Sequence, residues 1–293
     1  LSIQVHPDDA TAKARHNAYG KTEMWYLVGA DRDAELIMHG KDSATLALAF
    51  TDRLRANRAE VELFRSRRKL IRVNDIPVKR NSELVGRFLV VYFGPEYLGL
   101  VKEGPKRRRQ TVDILISQLR PRYFSSLARL KKIVESKNTL LKGERVDAAM
   151  LEVMNAQLID VSCEIMKYRS IYISRIEEIA KRIQLDISQG QETLEMRYQS
   201  CIGDIRGLDD RAIKQRMTQR VESAGSREAL LGETVVGPHR EDVGFFLGGK
   251  EAKAFASQGQ QKTIVLVEKL AEAELLRMET EDTPVLLLDD VLS

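Results

Sequence analysis

Cysteine is almost missing from this sequence. Its two copies, Cys163 and Cys201, are far apart and form no CxxC pair. That excludes a disulfide framework and a thiolate metal cluster, and it fits a reducing compartment. Long apolar runs are missing too: none approaches the ~20 residues a membrane helix needs, and no charged-then-apolar leader opens the chain. A cytoplasmic protein with no membrane partner is expected. Charge of one sign is also scarce. Lys and Arg number 47 against 43 Asp and Glu, a net charge of +4 over 293 residues, so any nucleic-acid footprint must be local. The chain opens on Leu1 rather than Met and ends on Ser293 directly after a strand-like run; both ends read as cut.

The last absence concerns phosphate. A Walker A loop needs Gly, four residues, then Gly-Lys-Ser/Thr, because backbone N–H groups must wrap a phosphate before a helix begins. Gly20-Lys21-Thr22 has Arg15 where the first Gly should stand, and strand-like MWYLV follows it. Gly40-Lys41 is followed by Asp42. Neither is a phosphate loop, and no other stretch of the sequence supplies one.

What is present is a chain 43% hydrophobic and 31% charged, long enough to bury a core and expected to hold two domains. MWYLVGA, AELIM, ATLALAF and KLIRV read as strands, Asn74-Asp75 as a turn, and GRFLVVYF as a buried strand. After Pro121 about a hundred helical residues follow. Leu151, Met154, Leu158, Val161, Ile165, Tyr168, Tyr172, Ile176, Ile179 and Ile183 recur every three or four positions, a narrow coiled-coil-like seam. With an earlier helix bearing Leu127, Leu130 and Val134, and a stop at Lys142-Gly143, a helical hairpin arm is expected. An ordinary buried bundle helix is the alternative. Beyond Gly190, LEMRY reads as a strand, GLDDRAIKQRMTQRVESA as a helix, and DVGFFLGGKEAKAF as a hairpin through Gly248-Gly249. Loop, helix and strand then close the chain.

The string QVHPDD followed by GKTEMWY, within residues 1–38, resembles the type I mannose-6-phosphate isomerase family of zinc-dependent cupins. The resemblance implies zinc ligands at Gln4, His6 and Glu23, an oxygen and nitrogen set suited to that metal. The family's further histidine has no match, so a fragment without activity is expected.

From about residue 39 onward the chain resembles another family. Three stretches carry this, RVNDIPVKRNSELVGRFLVVYFGPEYLGLVKEGPKRRRQTVDILISQLRPRY, VVGPHREDVGFFLGGKEAKAFASQGQQKT and VEKLAEAELLRMETEDTPVLLLDDVLS, together with the helical arm between the first two. They are similar to the RecF family of bacterial DNA replication and repair proteins. The implied fold is α/β: an incomplete ABC/SMC-type ATPase head with an inserted helical-hairpin arm, preceded by a short β-rich cupin-like fragment. The implied divisions are 1–38 for the isomerase-like piece, 39–118 for a first head lobe, 119–190 for the arm and 191–293 for a second lobe.

The chemistry supports the resemblance. Ser257-Gln258-Gly259-Gln260-Gln261 opens a helix, where free N–H groups and the positive dipole end can meet a phosphate. In the family this signature loop contacts ATP held by a partner subunit. VLLLDD reads as an apolar, buried strand that delivers Asp289 and Asp290 to its C-terminal end, where the first would hold Mg²⁺ and the second orient the attacking water. Lys106, Arg107, Arg108 and Arg109, after Gly104-Pro105, favour phosphate contacts with little base discrimination. Arg65, Arg67, Arg68 and Lys69 form a second run, close to Lys79 and Arg80. The family pattern departs at Gln110-Thr111, where an aromatic or apolar residue is usual. His239 reads as a structural hydrogen-bonding residue. The resemblance implies DNA at single-strand/double-strand junctions, a homodimer of heads and recombination mediator proteins as partners. Without Walker A, this chain is expected to be inactive as an ATPase on its own.

Overall fold

The computed structural model describes residues 36–52, 55–78 and 83–289. Gln4, His6, Glu23, Lys79, Arg80 and Asp290, and the strand expected at MWYLVGA, lie outside them. Two compact units are present, divided between Leu84 and Val85.

The first unit is an antiparallel meander of β1 (Ser43–Thr51), β2 (Ala56–Phe64), β3 (Leu70–Val73) and β4 (Ile76–Pro77). Its register follows from period-two alternation. Leu46 sits opposite Val61 and Leu48 opposite Ala59, while Val61 and Ala59 face Ile71 and Val73 on the next strand. One face is therefore apolar except for Asn57, which sits opposite Phe50 at its end. The β3–β4 turn has Asn74 and Asp75 at φ 50° and 63°, the left-handed pair that a two-residue hairpin needs and that Asn and Asp tolerate. The strand expected at AELIM does not form at Leu36–Met38. Carbonyls there are taken by a guanidinium instead: Arg65 donates to Ile37 O at 2.8 Å and to Lys41 O at 2.7 Å.

The second unit is built around one helix. Its elements are β5 (Val90–Phe93), α1 (Pro105–Leu119), α2 (Pro121–Leu141), α3 (Ala148–Ile187), β6 (Leu194–Gln199), α4 (Asp210–Leu231), β7 (Asp242–Leu247), β8 (Lys250–Glu251), α5 (Ala252–Phe255), α6 (Gln258–Thr280) and β9 (Val285–Leu288). β5 and β9 pair in parallel, and β6, β7 and β8 form an antiparallel sheet. α3 runs 40 residues, about 60 Å. Asp147 caps it by accepting from Met150 N–H, and it ends at Gln189-Gly190, both at positive φ.

α2 and α3 pack on each other as the two helices of the expected hairpin, but the buried face is broader than the expected seam. Leu158, Val161, Ile165, Tyr172, Ile176 and Ile179 are buried as the seam requires, but so are Ile159, Ser162, Met166, Arg169, Ile173 and Ala180. That face is too broad for a two-helix seam. α3 packs on α2, α4, α6 and β6, so it is the central helix of the unit. α4 joins α2 as a third helix beside it. The buried Lys137 ammonium of α2 donates to Glu228 Oε2 of α4 at 2.6 Å, and Asn138 Oδ1 accepts from Thr234 N–H at 2.7 Å. No helix among the described residues is long and apolar enough to cross a membrane.

Leu158 has no exposed surface. Leu158→Ala is expected to cost about 2–5 kcal/mol, and Leu158→Asp to exceed that by burying an unpaired carboxylate. Thermal unfolding followed by circular dichroism measures both; an unchanged melt in the Asp variant would remove α3 from the core.

Candidate functional site

α6 begins where the sequence places the signature residues. Ser257 is its N-cap, and a capping box closes the turn: Ser257 Oγ accepts from Gln260 N–H at 3.2 Å while Gln260 Oε1 accepts from Ser257 N–H at 2.8 Å. Gln260 Nε2 also donates to Glu192 Oε1 at 2.6 Å, and Gln261 Nε2 to Ala256 O at 2.6 Å. Ser257, Gln258 and Gly259 are exposed. The box fixes the first turn but leaves the N–H groups of Gln258 and Gly259 pointing out of the helix end, without intrahelical partners. A Cβ built on Gly259 would meet nothing within 4 Å, so nothing inside the chain requires glycine there.

β9 places Asp289 just beyond its C-terminal end. Its N–H donates to Phe93 O at 3.0 Å, extending the parallel ladder, and Tyr92 Oη lies 3.5 Å from Asp289 Oδ2 and 3.4 Å from Glu96 Oε2. Burial, reinforced by the Glu96 and Asp289 carboxylates, pushes the Tyr92 phenol above its usual range. It therefore remains a neutral donor beside the carboxylate. One expectation is corrected here: β9 is not a buried strand. Among the described residues it pairs only with β5, and Leu288 is 62% exposed.

The basic run also needs correction. Gly104-Pro105 is the start of α1 rather than a free turn, and a helix turns 100° per residue, so four successive cations cannot share a face. Lys106 points to solvent. Arg107 Nε donates to Glu103 at 2.6 Å. Arg109 Nη1 donates to Glu241 O at 2.5 Å. Arg108 is only 5% exposed; it holds Asp242 in a two-pronged pair at 2.8 and 2.7 Å and also reaches the carbonyls of Leu100, Val101 and Glu103. It is a structural cation and is not available to DNA. Thr111, where the family pattern departs, is buried and bonds back to Arg107 O at 3.1 Å. In the second run, Arg65 is committed as described, and Arg67 lies over the Phe64 ring at 3.6 Å.

The sequence reading missed a buried polar network beside this run. Arg169 of α3 binds Asp113 of α1 through Nε at 3.0 Å and Nη2 at 2.9 Å, and donates to Tyr123 Oη and Pro238 O. Glu241 accepts from Cys201 N–H at 3.0 Å and from the Tyr198 hydroxyl. Gly237 makes this possible at φ 130°, a conformation reserved for glycine. His239 is structural as expected: Nε2 meets Thr234 O at 3.1 Å and burial lowers its pKa. The available signal was a charge in an apolar stripe, Arg169 among Ile165, Met166, Tyr172 and Ile173.

No protein-family model matches the chain. A DNA replication and repair protein RecF from Clostridium perfringens is 37% identical over 303 aligned residues, which take in all of this chain and 82% of the relative. The chain belongs to the RecF family of DNA replication and repair proteins. A second RecF, from Acetivibrio thermocellus, is 35% identical over 290 residues, covering 94% of this chain and 78% of its own. Two solved structures agree. The recombination mediator protein RecF-ATPrS in the RecFOR pathway superposes with a TM-score of 0.86 at 29% identity, over 97% of this chain and 75% of that one. RecF-ATP gives 0.85 at 30% identity, over 92% and 72%. The mixed α/β architecture described above is thus the RecF fold. Among the described residues, no group of three or more His, Cys, Asp or Glu is placed to hold a metal.

Two measurements check this geometry. Arg108→Ala is expected to destabilise it by about 3–5 kcal/mol, by leaving Asp242 without its partner. Lys106→Ala stays within about 0.5 kcal/mol, and equal urea midpoints for the two variants would contradict the burial of Arg108. Burial, assisted by Glu241, pushes the Cys201 thiol up to about 12, and burial with Asp160 lifts Cys163 to about 11. Both stay protonated at pH 8, so alkylation of the native chain is expected at least a hundredfold slower than of the urea-unfolded chain. Comparable rates would show the thiols to be accessible.

Proposed function

We propose that this chain acts as a RecF-type ATP-dependent DNA-binding protein in recombinational gap repair. Two such heads would associate around ATP and engage DNA at single-strand/double-strand junctions, together with recombination mediator proteins. The observation that carries this reading is the exposed first turn of α6. Its capping box holds the turn rigid, Gln258 and Gly259 leave N–H groups free, and Gly259 has open space where a side chain would sit. Glycine in a helix costs up to about 1 kcal/mol relative to alanine. With no internal contact to justify it, close approach of an external ligand does.

Ser257, Gln258 and Gly259 are the groups that would face the terminal phosphate of a nucleotide seated on a partner subunit. Gln260 and Gln261 would hold their backbone in place. Asp289 fits Mg²⁺: a solvent-facing carboxylate at the end of a parallel strand is the hard oxygen donor that ion takes. Bound there, the ion would supply charge neutralisation for phosphoryl transfer. Asp290 would orient the attacking water. The sheer length of α6 supports a shared site. Its 23 residues span about 34 Å, whereas the 4 residues of β9 retrace about 13 Å. On these lengths Asp289 stays well short of Ser257, which supports the reading that the two motifs would serve different nucleotides.

The sequence holds no phosphate loop, and each charge-assisted hydrogen bond such a loop would donate is worth about 1.5–3 kcal/mol. Calorimetric titration of the isolated chain with Mg-ATP is expected to give no binding heat up to a Kd of about 1 mM. Saturable one-site binding would refute the shared-site reading and reveal a phosphate cradle elsewhere in these residues.

A further inference from the structure

Burial of Arg108 and the commitments of Arg107 and Arg109 leave the α1 run a poor phosphate surface, so the charges that meet DNA must stand elsewhere. Several other cations on the surface of the second unit are spoken for. Arg175 and Arg120 pair with Glu279, Arg182 with Glu274, Arg197 with Glu195, Arg206 with Asp204, and Arg240 with Glu233. Lys167 and Lys214 pair with Asp210 and Asp160.

Among the surface cations without a carboxylate partner, three line one flank of α2. Arg122, Ser125, Arg129, Lys132, Ser136 and Thr139 are all exposed and succeed one another at intervals of three and four residues. At 100° per residue they fall within an arc of about 100°, in a row about 26 Å long. No acidic side chain shares that arc, and among the described residues none of the three cations has a carboxylate partner. The acid of this helix, Glu135, lies about 40° beyond the edge of that arc, 4.0 Å from Lys131. Tyr123, Ser126, Leu130, Ile133, Lys137 and Leu141 form the buried face. The unpaired row therefore looks away from α3 and α4.

We infer that this flank of α2 is a contact surface for the DNA sugar-phosphate backbone. Arg129 and Lys132, three residues apart on one helix, repel, and among the described residues no carboxylate pairs with either; a polyanion would relieve that. The hydroxyls between them are further phosphate partners. The row carries no exposed large apolar side chain, so it lacks the anchor around which a protein interface is built. Contacts of this type read charge and not base identity. The inference rests on the DNA-binding reading above and adds where the chain meets the strand.

The test is fluorescence anisotropy of a labelled duplex with a single-stranded overhang, titrated with the full chain between about 50 and 300 mM salt. The triple variant Arg122→Ala, Arg129→Ala, Lys132→Ala is expected to reduce the log-log salt slope by about 2–3, since each lost phosphate contact removes about 0.9. Its affinity near 100 mM salt should fall at least tenfold. Lys131→Ala should leave the slope unchanged, as should the charge-keeping pair Arg129→Lys, Lys132→Arg. All four residues are exposed, and matching thermal melts exclude loss of fold. A parent that binds with a steep slope while the triple variant keeps that slope overturns this surface but not DNA binding itself. A parent that binds no DNA at any salt overturns both.

Discussion

The second unit depends on accommodating one buried guanidinium. Arg169 sits in the middle of α3 with almost no solvent contact, and an unpaired charge there would cost several kcal/mol. Its partners come from three separate segments: Asp113 on α1, Tyr123 on α2, and Pro238 and Glu241 on the loop before β7. Asp113 accepts from Nε and Nη2, the Tyr123 hydroxyl shares Nε, and Pro238 O accepts from Nη1 with the Glu241 carboxylate 3.6 Å away, so every edge of the guanidinium is met. Glu241 passes the constraint on to β6 through the Tyr198 hydroxyl and to the following turn through Cys201 N–H. Arg108 repeats the device one residue along, clamping Asp242 at the start of β7. Hydrophobic burial makes the unit cohere, but it is non-directional; these charged contacts fix which helix turn meets which loop.

That rigidity reaches the candidate site through α6. Midway along this helix Lys269 is buried against Glu272 at 2.9 Å and Glu268 at 3.4 Å, with its ammonium 4.3 Å from the Tyr97 ring centre. Burial and the neighbouring Glu268 push the Glu272 carboxyl well above its usual range. Tyr97 follows directly after β5, the strand that supports β9. The helix that presents Ser257 at one end is thus pinned at its centre to the sheet that presents Asp289. A displacement at either end has a stiff route to the other.

Much of this was legible in the sequence, for physical reasons that can be named. Alternation of period two in ATLALAF and KLIRV, paired left-handed formers at Asn74-Asp75, and Ser257 with Gln260 at capping-box spacing are local signals, and local geometry satisfied them. The errors share one cause, that burial is a property of neighbours. VLLL reads as buried because it is apolar, yet β9 has one strand beside it among the described residues. Arg107, Arg108 and Arg109 read as one surface because they are adjacent, yet helical twist sends them in three directions. The α3 seam was found, but its breadth was not. Counting only apolar residues hides Ser162, Arg169 and Gln184, which are buried on the same helix.

The same twist that dismantles the apparent patch on α1 assembles one on α2. Arg122, Arg129 and Lys132 are scattered through the sequence with apolar and small residues between them, so no charge run marks them, yet spacing of seven and three aligns them on one flank. Adjacency in sequence concentrates charge only in an extended chain; in a helix, spacing does. The way each set is paired follows from this. Arg108 falls on the inward face, where desolvation demands a partner and Asp242 supplies it. The α2 row falls outward, where water tolerates unpaired cations until a polyanion displaces it. Within one chain, burial therefore divides arginines into those that hold the fold and those left to act beyond it.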